Sequence, residues 1–247
     1  MSETYSHPAI SDPSAMQSYP NARDAELQML LRQVSLFAGC RVVDMQAAGG
    51  YLSDGVSKQL QGNVELICIE PVKALNQRLN PDYRVVEDKL EHWSSIESGS
   101  VDVVLGLAGL HHSQDQQATV SEAFRVLKSG GFFAICDVID DSPVANWLNN
   151  YVHQHNPNGH IGDFISPDEV SILMRNSGFY KIQETIENVP WVFADEFHVA
   201  NFFKGLFGLE SSIGDIKKAV PVYLNLVARD QQVEVDWKLI YAVAQKP

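Results

Sequence analysis

The stretch VDVVLGLAGLHHSQDQQATVSEAFRVLKSGGFFAICDV, residues 101–138, decides the fold. Residues 101–110 form a short apolar run, which reads as a strand buried on both faces. A helix follows across Gln116–Leu127, Gly130-Gly131 ends it, and FFAICDVI (132–139) returns as a second apolar strand. Upstream, RVVDM (41–45), VELICIE (64–70) and YRVVE (83–87) read as three more strands. Helices are expected from about Leu52 to Leu60 and from Pro71 through Leu79. A further helix starts at Asp24, with Leu27, Leu30, Leu31, Val34 and Phe37 on one face and Gly39 as its stop. Short apolar strands alternating with amphipathic helices give parallel βαβ units with right-handed crossovers, hence an α/β, doubly wound sheet.

Downstream the pattern is looser. Ser166-Pro167-Asp168-Glu169 reads as a helix start, with Ser as N-cap and Pro at the first position, and that helix ends at Ser177-Gly178. A strand over Tyr180–Val189, two helices within 190–232 and a last strand in 235–246 complete the chain. Residues 1–23 read as a flexible arm, and 24–247 as one domain with cap segments at about 142–165 and 190–232.

The 247 residues carry 18 Lys+Arg against 31 Asp+Glu, a net charge of −13, with 45% hydrophobic residues. An acidic surface repels phosphate backbones, so nucleic acid is excluded as a partner. No apolar run reaches the ~18 residues that would cross a bilayer, which excludes a membrane span. Cys40, Cys68 and Cys136 cannot all pair and each lies in or beside an apolar run. Together with a polar N-terminus that has no signal-peptide pattern, they make the cytoplasm the expected compartment.

In an open α/β sheet, ligands sit outside the carboxyl ends of the strands. The first strand ends in Asp44 and turns through Gln46-Ala47-Ala48-Gly49-Gly50; the second ends in Glu70, 20 residues past Gly50. That spacing suits a carboxylate reaching a ribose diol. Asp88 follows the third strand, placed to accept from a base amine, and Leu107 ends the fourth with a carbonyl that could meet an ammonium. Gln46 and Ala48 stand where a pyrophosphate loop needs small residues, which disfavours a nicotinamide-dependent oxidoreductase.

With these motifs the chain resembles the class I S-adenosylmethionine-dependent methyltransferases over roughly residues 25–140. VVDMQAAGGYLS is similar to their first motif, LICIEP to their second-strand acidic motif, and 101–138 to their fourth strand, His-containing loop, helix and fifth strand. The resemblance implies a Rossmann-like, mostly parallel seven-stranded sheet with helical cap insertions and S-adenosyl-L-methionine as cofactor. It implies that Asp44 and Gln46, Ala47, Ala48, Gly49 and Gly50 hold the methionine portion. Glu70, followed by Pro71, would hold the ribose, Asp88, Lys89 and Leu90 the adenine edge, and Leu107 the amino-acid end.

His111 and His112 are the candidate general bases, since imidazole titrates near neutrality. The run His153, His155, His160 and Asp163 matches no metal-ligand spacing and reads as loop histidines, with no metal expected. The acceptor is expected to be a small, partly apolar molecule chosen by the caps, where Val199, Phe202, Phe203, Leu206 and Phe207 share one helix face. The alternative is a protein that binds the cofactor or a nucleoside without transferring methyl. Oligomeric state is open.

Overall fold

A computed structural model describes residues 10–12 and 14–247. In chain order the elements are α1 (Ser14–Ser18), α2 (Asp24–Leu31), β1 (Arg41–Asp44), α3 (Tyr51–Gln59), β2 (Glu65–Ile69), α4 (Lys73–Asn76), β3 (Arg84–Val86) and β4 (Val101–Leu107). They continue as α5 (Gln116–Val126), β5 (Leu127–Val138), α6 (Pro143–Asn146), a π-turn (Trp147–Val152), α7 (His153–His155), α8 (Glu169–Ser177) and β6 (Tyr180–Asn188). The chain closes with β7 (Trp191–Phe193), α9 (Glu196–Leu206), α10 (Ile213–Tyr223), β8 (Leu226–Arg229), β9 (Gln232–Val235) and β10 (Lys238–Gln245).

Seven strands form the main sheet in the order β3-β2-β1-β4-β5-β10-β6. The first five run parallel, and β10 lies antiparallel to both β5 and β6. Strand order reverses at β1, which pairs with β2 on one side and β4 on the other, so a crevice opens where the turns after β1 and β4 diverge. Alternate residues feed two cores. Val42, Val103, Leu105, Ala134 and Cys136 face the caps, while Val43, Met45, Val104, Phe133 and Ile135 face α5 and α8. All three cysteines are buried and unpaired.

Several local expectations give way to tertiary contacts. The second helix stops at Leu31 rather than running on to Gly39, and Phe37 stands 53% exposed. Pro71 precedes a helix of only four residues, capped at Val72. The helix after β4 ends at Val126, because Leu127 turns extended to pair with Val101, and Gly130-Gly131 lie inside β5. Gly130 is left-handed there, and its N–H donates to the Lys246 carbonyl, tying the strand to the chain end. Ser166 does not cap α8; Glu184 on β6 does, its carboxylate accepting from Asp168 N, Ser171 N and Ser171 Oγ. The 190–232 segment holds its two helices, and with residues 233–235 it also forms a small antiparallel sheet, β7-β9-β8, that the sequence pattern did not show.

Residues 1–9 and 13 of the expected arm lie outside the described residues. The described part is seated on the body: Ser11 N donates to Leu206 O, Tyr19 packs edge-on to Phe193 and Phe202, and Asn201 Nδ2 donates to the Tyr19 hydroxyl.

Candidate functional site

The turn after β1 builds one wall of the crevice. Ala48 (φ 42°), Gly49 (88°) and Gly50 (100°) are consecutive left-handed residues, so the chain reverses within three positions and enters α3. Such a φ is natural for glycine and strained for alanine. Glu70 holds Ala48 in place. Its Oε2 accepts from Ala48 N and its Oε1 from Val72 N, both at 2.8 Å, and the residue is fully buried. Burial pushes the Glu70 carboxyl up to about 7. Asp44 is buried behind the same turn, accepting from Ser53 Oγ at 2.7 Å, and burial raises it to about 6.

A cavity of about 450 Å³ lies on the solvent side of this turn. Gln46, Ala47, Ala48, Gly49 and Leu107 line it, together with Met16, Arg23, Leu27, Lys58 and Arg78. That size is ordinary for a cofactor pocket, ~300–1,000 Å³. Asp44, Gly50, Glu70, Pro71, Asp88, Lys89 and Leu90 do not line it. Asp88 is turned to Ser94 Oγ and Ser95 N. Lys89 is exposed, whereas Leu90 is wholly buried and its carbonyl accepts from Trp93 Nε1. The turn and Leu107 thus surround one space, while the two strand-end acids, Asp44 and Glu70, support the turn from behind.

A second, narrower space of about 50 Å³ adjoins the first and shares Ile10, Arg23, Gln46, Ala48 and Leu107 with it. Its other walls include His111, His112, Leu148, Phe207, Trp191 and Trp237. Trp191 stacks on Trp237 with centroids 3.9 Å apart. Arg23 and Glu26, both buried, form an ion pair at its edge, and Trp191 Nε1 donates to Glu26 Oε2 at 2.9 Å. Sequence reading missed this pair. Arg23 fell within the expected arm, and the only local signal was an i,i+3 spacing of opposite charges.

Beyond β4, Asp137 orients His111: Oδ2 accepts from His111 N, and Oδ1 lies 2.5 Å from Nδ1. His111 Nε2 is then left buried without a hydrogen-bond partner among the described residues. Burial, with His111 and His160 beside it, holds His112 well below the usual imidazole range. Burial likewise pushes His160 down to about 3.

Whether these residues fit S-adenosylmethionine turns on the turn-lined cavity. Gln46 Oε1 is buried there without a partner among the described residues, an acceptor that a ligand ammonium or hydroxyl can satisfy. A Cβ on Gly109 would run into the Gln46 side chain, so glycine there lets Gln46 lie across the crevice. The cavity and its acceptors suit the amino-acid half of the cofactor.

The comparisons agree with the fold. A family model described as a methyltransferase domain matches residues 19–184. No curated protein matches the chain. Among solved structures, a S-adenosylmethionine-dependent methyltransferase of Thermotoga maritima is similar at 16% identity, covering 94% of this chain and 92% of that one, with a TM-score of 0.61. The Haemonchus contortus phosphoethanolamine N-methyltransferase 2, solved with S-adenosyl-L-methionine, is similar at 18% identity over 91% of this chain and 52% of that one, TM-score 0.59. The 4+2 cyclase SpnF is similar at 13% identity over 91% of this chain and 80% of that one, TM-score 0.60. Structures of this fold have been solved with S-adenosylhomocysteine and with S-adenosyl-L-methionine. With two thirds of its length matched and the expected sheet order in place, the chain belongs to the methyltransferase-domain family.

Proposed function

We propose that the protein transfers a methyl group from S-adenosylmethionine to a small, partly apolar molecule. The observation that carries this reading is the junction of the two spaces at Gln46, Ala48 and Leu107, one bounded by the turn and the other by Trp191, Trp237, Phe207 and two imidazoles. A donor in the first space and an acceptor in the second would meet there. Bound, the cofactor supplies an electrophilic methyl on a sulfonium. Gln46 to Gly49 and Leu107 would hold its amino-acid half, while Asp44 and Glu70 keep the turn in shape.

The chain's remaining task is positioning and exclusion of water, worth up to several kcal/mol. The aromatic wall excludes water. Where the acceptor atom carries a proton, His111 Nε2 can take it, since Asp137 fixes Nδ1 as the donor side; His112 stands beside it. The acidic charge favours a small-molecule acceptor over nucleic acid, and three buried, unpaired cysteines favour the cytoplasm.

Incubating the protein with S-adenosylmethionine and a metabolite extract should give a product heavier by one methyl. Thermal shift should respond to S-adenosylmethionine and S-adenosylhomocysteine and not to NAD; a response to NAD alone would overturn the reading. A second reading, cofactor binding without transfer, draws on the strained Ala48 and on the presence of a cyclase among proteins of this fold. Stabilisation by both adenosyl ligands with no methylated product from any extract would favour it.

A further inference from the structure

Three imidazoles that sequence reading kept apart meet beside the narrow space. His111, His112 and His160 bring one ring nitrogen each to within 4.8 Å of one another. Their rings are close in every pairing, with centroids 4.0, 5.4 and 5.8 Å apart. His160 is 1% exposed, with the Leu148 carbonyl beside its ring as acceptor for one N–H; its other ring nitrogen and His111 Nε2 have no hydrogen-bond partner among the described residues. Each neutral imidazole carries one N–H and one lone pair, so the buried lone pairs of His111 Nε2 and of one His160 nitrogen, left without a donor, point to an absent acceptor of lone pairs.

We propose that His111, His112 and His160 bind a divalent zinc-type cation. His111 ligates through Nε2, because Asp137 takes its Nδ1 at 2.5 Å. That is the carboxylate–histidine support common behind metal ligands. Asp137 is itself fixed, accepting from His111 N at 3.1 Å and Val138 N at 2.7 Å. The loop carrying His160 is pinned to the pair. Asp163 N donates to His111 O, Asn149 bonds both N and O of Gly162, and His153 Nδ1 accepts from His160 N.

Metal–nitrogen bonds of about 2.0–2.1 Å require neighbouring ligands roughly 3 Å apart, so the three nitrogens, within 4.8 Å of one another, must draw together when the cation binds. Three neutral imidazoles suit zinc, iron, cobalt or nickel and leave further positions open. His111 and His112 both line the narrow space, so the open position faces the region assigned to the acceptor. An anionic oxygen, nitrogen or sulfur ligand could enter there. The proposal is tested apart from methyl transfer, since metal stoichiometry is read without donor or acceptor; with the cation bound, the His111 Nε2 lone pair is committed to it, and the base role given above belongs to the metal-free protein.

The test uses the full chain, stripped with a chelator and dialysed against Zn²⁺ or Co²⁺. One equivalent per chain and a visible Co²⁺ ligand-field band are expected. His160→Ala should weaken binding at least tenfold, while the same change at the outlying His198 leaves it intact. If His160→Ala does not fold, His112→Ala gives the same reading from a half-buried position. Binding by wild type no stronger than by the triple alanine variant of His111, His112 and His160 would overturn the proposal. So would an unchanged affinity in folded His160→Ala or His112→Ala.

Discussion

Ala48 is the residue on which cofactor affinity depends most directly. Its φ of 42° costs an L-residue about 1–2 kcal/mol, and its methyl group borders both spaces. Ala48→Gly is expected to raise stability by up to about 1 kcal/mol and to tighten S-adenosylmethionine binding, read by urea denaturation and calorimetric titration. Glu70 sits directly behind it and makes a different prediction. Its carboxyl rises from 4.5 to about 7 in the fold through burial, so the folded state holds the proton more tightly than the unfolded chain does. Wild-type stability measured against Glu70→Gln should therefore fall as pH rises from about 4.5 to 7 and level off above 7. Denaturation of both proteins at pH 5 and pH 8 checks this; an equal difference at both values would show that Glu70 does not titrate in that window.

Elements here begin and end where distant side chains satisfy their backbone. The N-terminus of α8 is the clear case. Asp168 is left-handed at φ 70°, no side chain of its own loop caps the helix, and Glu184 supplies three acceptor contacts from β6. Glu184→Ala should cost about 1–2 kcal/mol, the usual loss for removing an N-cap, with faster amide exchange confined to the first turn of α8. The Ser-Pro-Asp-Glu run misleads because the capping oxygen lies 13 residues or more away. The same logic shortens the helix before β5: Leu127 gains more from burial beside Val101 than from one further helical turn.

At the scale of the whole molecule, the N-terminal segment and the cap meet the sheet through the Arg23–Glu26 pair. Both residues are buried, Arg23 lies over the Tyr51 and Trp191 rings, and the Tyr241 hydroxyl donates to Glu26 O. Removing one partner strands the other charge. Arg23→Met is expected to lower stability by about 3–5 kcal/mol, and Glu26→Gln added to it should recover part of that loss. A double-mutant cycle by denaturation gives the coupling, and additive losses would show that the pair acts only by packing.

The sequence by itself determined the doubly wound sheet, the positions of its strand ends and the turn at residues 46–50. Those depend on period, Gly placement and short-range sterics, all of which are local. Only the tertiary structure decided which side chains face the crevice. Asp44 and Glu70 stand at the expected strand ends, yet both turn behind the bend, because Ser53, Ala48 N and Val72 N offer them donors there. His160 lies 48 residues beyond His112, and the contacts of its loop with Asn149, His153, Gln116 and the His111 carbonyl bring it beside the pair. Convergence across such distances depends on how the cap packs, which no local pattern encodes.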